Sequence, residues 1–267
     1  MEPSDVLRDL REEHEALDGV VADLPAQRWT SPTPSAGWTV AHQIAHLTYF
    51  DRAAAQAIAE PEAFAEARDE LVRAVLEDGT DPDEHTLGGL LGLEPAELLT
   101  AWREGRASLL EAGAGLSAVD RVEWYGPSMG AASFLTARLM ETWAHGQDIV
   151  DALEAHREPT DRLAHVARLG FITRGWSYAN RGRTAPEAPV RVELTLPGGT
   201  TIDHGPADAG DRIVGAAEDF CLVVTQRRHV EDTGLAVEGD AAREWMELAQ
   251  AFAGGATDGP PAQRAGG

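Results

Sequence analysis

Residues 6–24 read VLRDLREEHEALDGVVADL, and this stretch sets the architecture. Val6, Leu7, Leu10, His14, Leu17, Val20, Val21 and Leu24 recur at three- and four-residue steps. That spacing puts them on one stripe of a helix, with the charged residues turned to water. Leu24-Pro25 ends the helix, and Ser31 to Gly37, with two prolines and a glycine, reads as a loop. Thr39 suits an N-cap, with Trp38 stapling the entry to a helix that runs through Ile44, Leu47, Phe50 and Ala54 to about Ala59. Pro61 opens another helix, to about Glu77, and Asp78 to Asp83 reads as a loop. Glu94-Pro95 starts a helix carrying Leu98, Leu99, Trp102 and Leu109. After Gly126-Pro127-Ser128, long helices are expected from about Ala131 to His156 and from about Asp161 to Ala179. Several helices joined by short-to-medium loops predict an up-down bundle.

Near Arg181 the period changes from helical to two. Val190, Val192, Leu194 and Leu196 alternate with Arg191, Glu193 and Thr195, the signature of a half-buried strand. Pro197-Gly198-Gly199 is a hairpin turn into a partner strand at Thr200 to His204. A helix from about Ala209 to Arg227, a short strand at Leu235 to Val237 and a helix from about Asp240 to Phe252 complete the pattern. The fold class is therefore α+β: an up-down helical bundle over residues 1–182, a small α+β domain over 183–254, and a flexible Gly/Pro/Ala-rich tail over 255–267.

Composition limits the function. The 267 residues suffice for two modest domains, and 43% hydrophobic content suffices for a real core. A net charge of −23 repels phosphate backbones and anionic lipid, so neither nucleic acid nor membrane is an expected partner. The chain has no lysine, and all 22 basic residues are arginine, which reads as GC-rich coding bias and fits an actinobacterial source. Residues 1–21 lack the apolar core of a signal peptide, no apolar run is long enough to span a bilayer, and the single cysteine, Cys221, has no internal partner. A cytoplasmic location follows as an expectation.

Chemistry concentrates in two helical segments, 37–47 (GWTVAHQIAHL) and 138–148 (RLMETWAHGQD). Glu141 and His145 stand four apart, so they share one helix face and can converge on one ion. The same spacing also serves an ordinary exposed ion pair, and the pattern alone leaves both readings open. His46, on a facing helix, would supply a third ligand. Two imidazoles and a carboxylate suit Zn²⁺ with an open position; Ni²⁺, Fe²⁺ and Mn²⁺ are alternatives. Asp148 could orient His145 by accepting from its ring, or be a solvated charge. His42, one turn before His46, could support it, ligate as a fourth group, or lie on the surface. Arg138 could meet a substrate carboxylate. Cys221 sits in an apolar helical run and reads as a buried, inert thiol. Asp51 reads as solvated, His14 as a core histidine, and Trp124, Tyr125, Trp143 and Trp176 as core aromatics or pocket walls.

Together, Trp38-Thr39-Val40…His46-Leu47 and Glu141-x-x-x-His145-x-x-Asp148 resemble the DinB-like superfamily, and within it the mycothiol-dependent maleylpyruvate isomerase branch. The resemblance covers roughly residues 5–180, and segments 211–228 and 245–254 resemble an actinobacterial subgroup of metal-binding proteins. It implies a divalent metal, usually zinc, at His46, Glu141 and His145. It also implies mycothiol as a cosubstrate in S-transfer to, or isomerisation of, a small electrophile. The expected partners are thus a small-molecule substrate and a low-molecular-weight thiol, with the chain a monomer or homodimer. A thiol-free metal hydrolase and a non-catalytic metal- or ligand-binding protein are the alternatives.

Overall fold

The computed structural model describes residues 2–263. The chain forms two compact units, Met1–Arg157 and Glu158–Gly267. In the first, Pro3–Val21 is α1, Val40–Ala59 α2, Pro61–Leu76 α3, Pro82–Leu91 α4, Pro95–Gly113 α5 and Ala131–Leu153 α6. A two-residue ribbon, Arg121–Val122 (β1) against Met129–Gly130 (β2), precedes α6. The four long helices α1, α2, α5 and α6 make the bundle: α2 packs on α5 and α6, and α1 on α6 and α5. The expected stripe on α1 is buried at Val6, Leu7, Leu10, His14, Leu17 and Val21. Leu17, Val21, Ile44, Leu47, Leu98, Trp102 and Ile149 form one apolar cluster from all four helices. Each such aliphatic side chain contributes about 1.5–3 kcal/mol when fully buried.

Helix ends follow local chemistry. Pro3, Pro61, Pro82 and Pro95 each sit in the first turn of a helix, where the missing N–H costs nothing. Glu94 and Glu97 cap α5 reciprocally, Glu97 Oε2 accepting from the Glu94 N–H at 3.1 Å. α6 stops at Leu153, short of the expected His156, because Glu154 takes a left-handed conformation (φ 51°) that ends the turn. Within α6, Gly146 admits a close neighbour: a Cβ there would lie 2.7 Å from Arg157 Nη1.

Two expectations need correction. The loop expected at 78–83 gives way at Pro82 to α4, whose sequence PDEHTLGGLL has two glycines and no clear stripe; Asp81 caps it by accepting from the Asp83 N–H at 2.8 Å. The helix expected over 209–227 is a strand followed by a helix: Asp211–Ala216 is β5 and Ala217–Val224 is α9. No breaker separates the two, so the apolar run reads as continuous. β-Branched Ile213 and Val214 nevertheless alternate, the first buried and the second 41% exposed.

In the second unit, α7 (Leu163–Ile172) and α8 (Arg174–Ala179) occupy the helix expected over 161–179. It breaks at Thr173, whose hydroxyl donates to Leu169 O at 2.8 Å. β3 is Val190–Thr195, β4 Thr201–His204 and β6 Ala236–Glu238, and the sheet order is β4-β3-β5-β6. β3 pairs antiparallel with β4 and parallel with β5, Val192 lying opposite Ile213. Val190, Val192 and Leu194 are buried as their alternation predicts. α7 and α9 pack together, α9 also on β3 and β5, and α10 (Asp240–Leu248) on β5, β6 and α8. The contact-defined division therefore falls at residue 157, while the change from helical to strand pattern falls about 25 residues later. Of the tail expected over 255–267, residues up to 263 lie on the second unit: Gln226 Nε2 donates to Thr257 O at 2.8 Å, and the Gln263 N–H to Asp232 Oδ2 at 2.9 Å. Residues 264–267 lie outside the described residues. Among the described residues, no helix is long and apolar enough to cross a membrane.

Candidate metal centre

α2 and α6 pack side by side and carry the three candidate ligands. The approach to α2 is built by the loop 31–39. Gly37 turns the chain at φ 80°, which a side chain would strain, and Pro32 pairs with Thr39 across the loop. Trp38 follows directly, its indole Nε1 donating to Asp83 Oδ2 on α4 at 3.0 Å. His42 is occupied here: its Nδ1 accepts from the Thr39 N–H at 3.3 Å and lies 2.8 Å from the Thr39 hydroxyl, completing a capping box. His42 thus secures the start of α2 and stands apart from the ligand cluster.

His46, Glu141 and His145 come together, with one ligand atom from each lying within 4.8 Å of the other two. Glu141 Oε2 is 3.1 Å from His145 Nε2 and 3.4 Å from His46 Nε2. Zinc–ligand bonds of about 2.0–2.1 Å imply about 3.3 Å between neighbouring ligand atoms of a tetrahedron. The two measured separations bracket that value. The side chains are 18%, 21% and 12% exposed for His46, Glu141 and His145, so the cluster is partly open to solvent.

A directed chain of hydrogen bonds fixes which nitrogen of His145 carries its proton. The Trp38 carbonyl can only accept, and the Thr33 hydroxyl donates to it at 3.0 Å. Thr33 Oγ1 is then the acceptor for Gln43 Nε2 at 3.0 Å. Gln43 Oε1 is therefore left facing His145 Nδ1 at 2.5 Å, and Nδ1–H donates to it. The lone pair of a neutral His145 consequently sits on Nε2, aimed at a carboxylate oxygen. Two acceptors 3.1 Å apart repel unless a cation lies between them. A metal ion held among the three groups would relieve this contact while Nδ1–H stays on Gln43.

The electrostatics agree. Burial, then the neighbouring His145, lowers the His46 pKa to about 4, so its imidazole is neutral at pH 7 and able to ligate. Burial pushes the Glu141 carboxyl up, but the facing His145 and His46 rings outweigh it and hold the group well below the usual carboxylate range.

Other expected residues lie elsewhere. Asp148 accepts from the Ser35 hydroxyl at 3.1 Å, tying the loop to α6. The orienting role falls to Gln43, which sequence reasoning missed because a buried amide leaves no signature in one sequence. Arg138 is buried, 3% exposed, with Nη2 2.8 Å and Nε 3.2 Å from Asp51 Oδ1. Asp51, expected in solvent, is fully buried, with His14 Nε2 3.4 Å from its other oxygen. Cys221 is buried, and burial raises its thiol pKa well above normal, in keeping with an inert thiol. Trp124 and Tyr125 are half-buried near α2, and Trp143 is buried.

A family model described as the mycothiol maleylpyruvate isomerase N-terminal domain matches residues 10–150, a span that holds all three clustered residues. An uncharacterized protein of Mycobacterium tuberculosis, found in two strains, is 44% identical over 253 residues, covering 95% of this chain and 97% of the relative. Two crystal structures of the mycothiol-dependent maleylpyruvate isomerase, one of them a mutant, superpose with a TM-score of 0.58. They are 18% and 17% identical and cover 89% of this chain and 93% of theirs, a likeness of fold.

Proposed function

Since this chain belongs to the mycothiol maleylpyruvate isomerase N-terminal domain family, we propose that it is a metal-dependent enzyme joining a low-molecular-weight thiol, mycothiol, to a small electrophile by S-transfer or isomerisation. The observation that carries this reading is the convergence of two imidazole Nε2 atoms on one carboxylate oxygen, 3.1 and 3.4 Å away. His46, Glu141 and His145 would hold the ion, and zinc is the proposed species, because this donor set with an open side suits it. A divalent cation bound there would lower the pKa of an adjacent thiol and supply thiolate at neutral pH.

The chain's own residues do the positioning. Gln43 holds the His145 ring with its Nε2 lone pair inward. Trp38 and Phe50 flank His46, their rings centred 5.4 and 4.6 Å from its ring. The nucleophilic sulfur comes from the cosubstrate, because Cys221 is buried. In the reaction the sulfur bonds to an electrophilic carbon, and the displaced electron pair moves to the neighbouring atom. The proton shed by the thiol returns there.

Elemental analysis of the purified chain, followed by thermal shifts with mycothiol, tests the reading. One equivalent of metal and a shift confined to the metal-loaded form are expected. Thiol binding by chelated protein, or unchanged turnover after chelation, would overturn it. Turnover that needs metal but no thiol would favour hydrolysis instead.

A further inference from the structure

The loop from Ser31 to Thr39 carries Trp38 to the edge of the centre, and polar bonds do most of the holding. Thr33 is its one buried residue; the others are half-buried or exposed. Trp38 rests against the bundle core. The backbone closes on itself: the Thr33 N–H donates to Trp38 O at 2.8 Å, the Trp38 N–H to Ser35 O at 3.0 Å, and the Val40 N–H to Ser31 O at 3.1 Å. Ser35 is tied to Asp148 on α6, and Trp38 to Asp83 on α4. A segment with so little buried apolar surface opens at low cost, so a small bias at one of its bonds decides how often it is closed.

That bias runs through His145. Thr33, Gln43 and the His145 ring form a relay that can be wired in two senses. The structure holds the forward sense: Nδ1–H donates to Gln43 Oε1, Gln43 Nε2 to Thr33 Oγ1, and the Thr33 hydroxyl to Trp38 O. In the reverse sense the ring proton sits on Nε2 and goes to Glu141 Oε2, 3.1 Å away. A half-turn of the Gln43 amide then gives its Nε2 to His145 Nδ1 and its Oε1 to Thr33. The Thr33 hydroxyl turns to that oxygen and leaves Trp38 O. Both senses hold the same number of protons. A cation at His46, Glu141 and His145 needs the Nε2 lone pair, so it admits only the forward sense, the one that ties the loop.

We propose that metal occupancy and closure of the 31–39 loop are one coupled equilibrium: the ion, by fixing the direction of this relay, seats Trp38 beside the centre. This rests on the metal-and-thiol reading given above and concerns the regulation of that site. The indole of Trp38 lies 5.9 Å from the His145 ring, inclined by 21°, and 5.4 Å from that of His46. It becomes a fixed wall of the site only once the metal has entered, which orders binding: metal first, thiol second. By linkage, closure of the loop strengthens metal binding by the same factor by which the metal strengthens closure.

Hydrogen–deuterium exchange of the full chain, with and without one equivalent of zinc, tests the coupling. Zinc should slow exchange of the Thr33, Trp38 and Val40 amides at least about fivefold, with the amides of α9 as an unaffected reference. Thr33→Val keeps the branched shape and removes the hydroxyl. It should weaken zinc about three- to tenfold in chelator competition and reduce the zinc-induced protection of the loop in step. Thr33→Ser, which keeps the hydroxyl, should restore both. Stoichiometric zinc binding with unchanged exchange in the loop would overturn the inference and leave the metal centre standing. So would a folded Thr33→Val protein whose loop zinc protects as in wild type. The wild-type comparison decides alone if that variant does not fold. A wild type that takes up no zinc would overturn the reading beneath it instead.

Discussion

Two clusters bridge α2 and α6, and each holds a carboxylate and histidine. In one, Asp51 meets Arg138 at 2.8 Å and His14 at 3.4 Å, with every side chain at most 4% exposed. In the other, Glu141 meets His145 and His46 at 3.1 and 3.4 Å, with 12–21% exposure. The first contains its own cation and is closed. The second gathers two ring nitrogens and a carboxylate oxygen around one point and is partly open. The difference teaches that a histidine–carboxylate group becomes a candidate site through unmet charge and access, not through residue types. The closed cluster fixes how the two helices sit; the open one depends on that placement.

The comparison breaks most severely at Glu141. Glu141→Ala removes a ligand and should lower metal affinity by more than the 10- to 100-fold typical of losing an outer partner. Chelator competition measures this, while the fold persists by circular dichroism. In the closed cluster, Asp51→Ala leaves Arg138 buried without its counter-charge. It should cost about 3–5 kcal/mol of stability in urea unfolding, and the double change to Asp51→Leu with Arg138→Leu should cost less. A double variant as unstable as the single one would show that the pair is more than a self-balanced tie.

Gln43→Leu sharpens the contrast with a smaller effect. It frees the His145 ring to hold its proton on Nε2 and should weaken zinc binding about 10- to 100-fold. Nitrogen NMR of the imidazole should show the tautomer change, which a merely structural role would not produce. The closed cluster also carries a pH response of its own. Burial pushes the Asp51 carboxyl up, but Arg138 and His14 outweigh it and hold the group below its ordinary value. Its contribution is therefore fully present above about pH 4, the unfolded aspartate range, and is lost as pH falls through the lower folded value. Wild type should lose stability steeply below pH 4, and the double leucine variant less so. Smallest is His42→Ala, which removes a cap and should cost about 1 kcal/mol with zinc affinity nearly unchanged.

Much of this was legible in sequence wherever one segment carries its own signal. Pro61 and Pro95 marked helix starts, the α1 stripe marked the bundle, and β3 announced itself by alternation. The i,i+4 pair Glu141/His145 was visible as a spacing that an ordinary ion pair also fits; the family resemblance joined His46 to it, and the structure brings the three together. What stayed hidden depends on partners far along the chain. Asp51 and Arg138 are 87 residues apart, so an apparent surface acid and an apparent substrate-facing arginine gave no sign of neutralising each other. Gln43 reaches His145 across 102 residues. β5 became a strand because β3 lies beside it in parallel register, a pairing that no local pattern encodes.

Residue 38 serves the centre twice, and its two services are chemically independent. Its ring stands 5.4 Å from that of His46, where a change of side chain would alter what an incoming molecule touches. Its main-chain oxygen begins the polar relay through Thr33 and Gln43, and every amino acid supplies that oxygen. Drift at this position can therefore retune selectivity without rewiring the imidazole, leaving Thr33 and Gln43 as the two points where heredity can cut the wire.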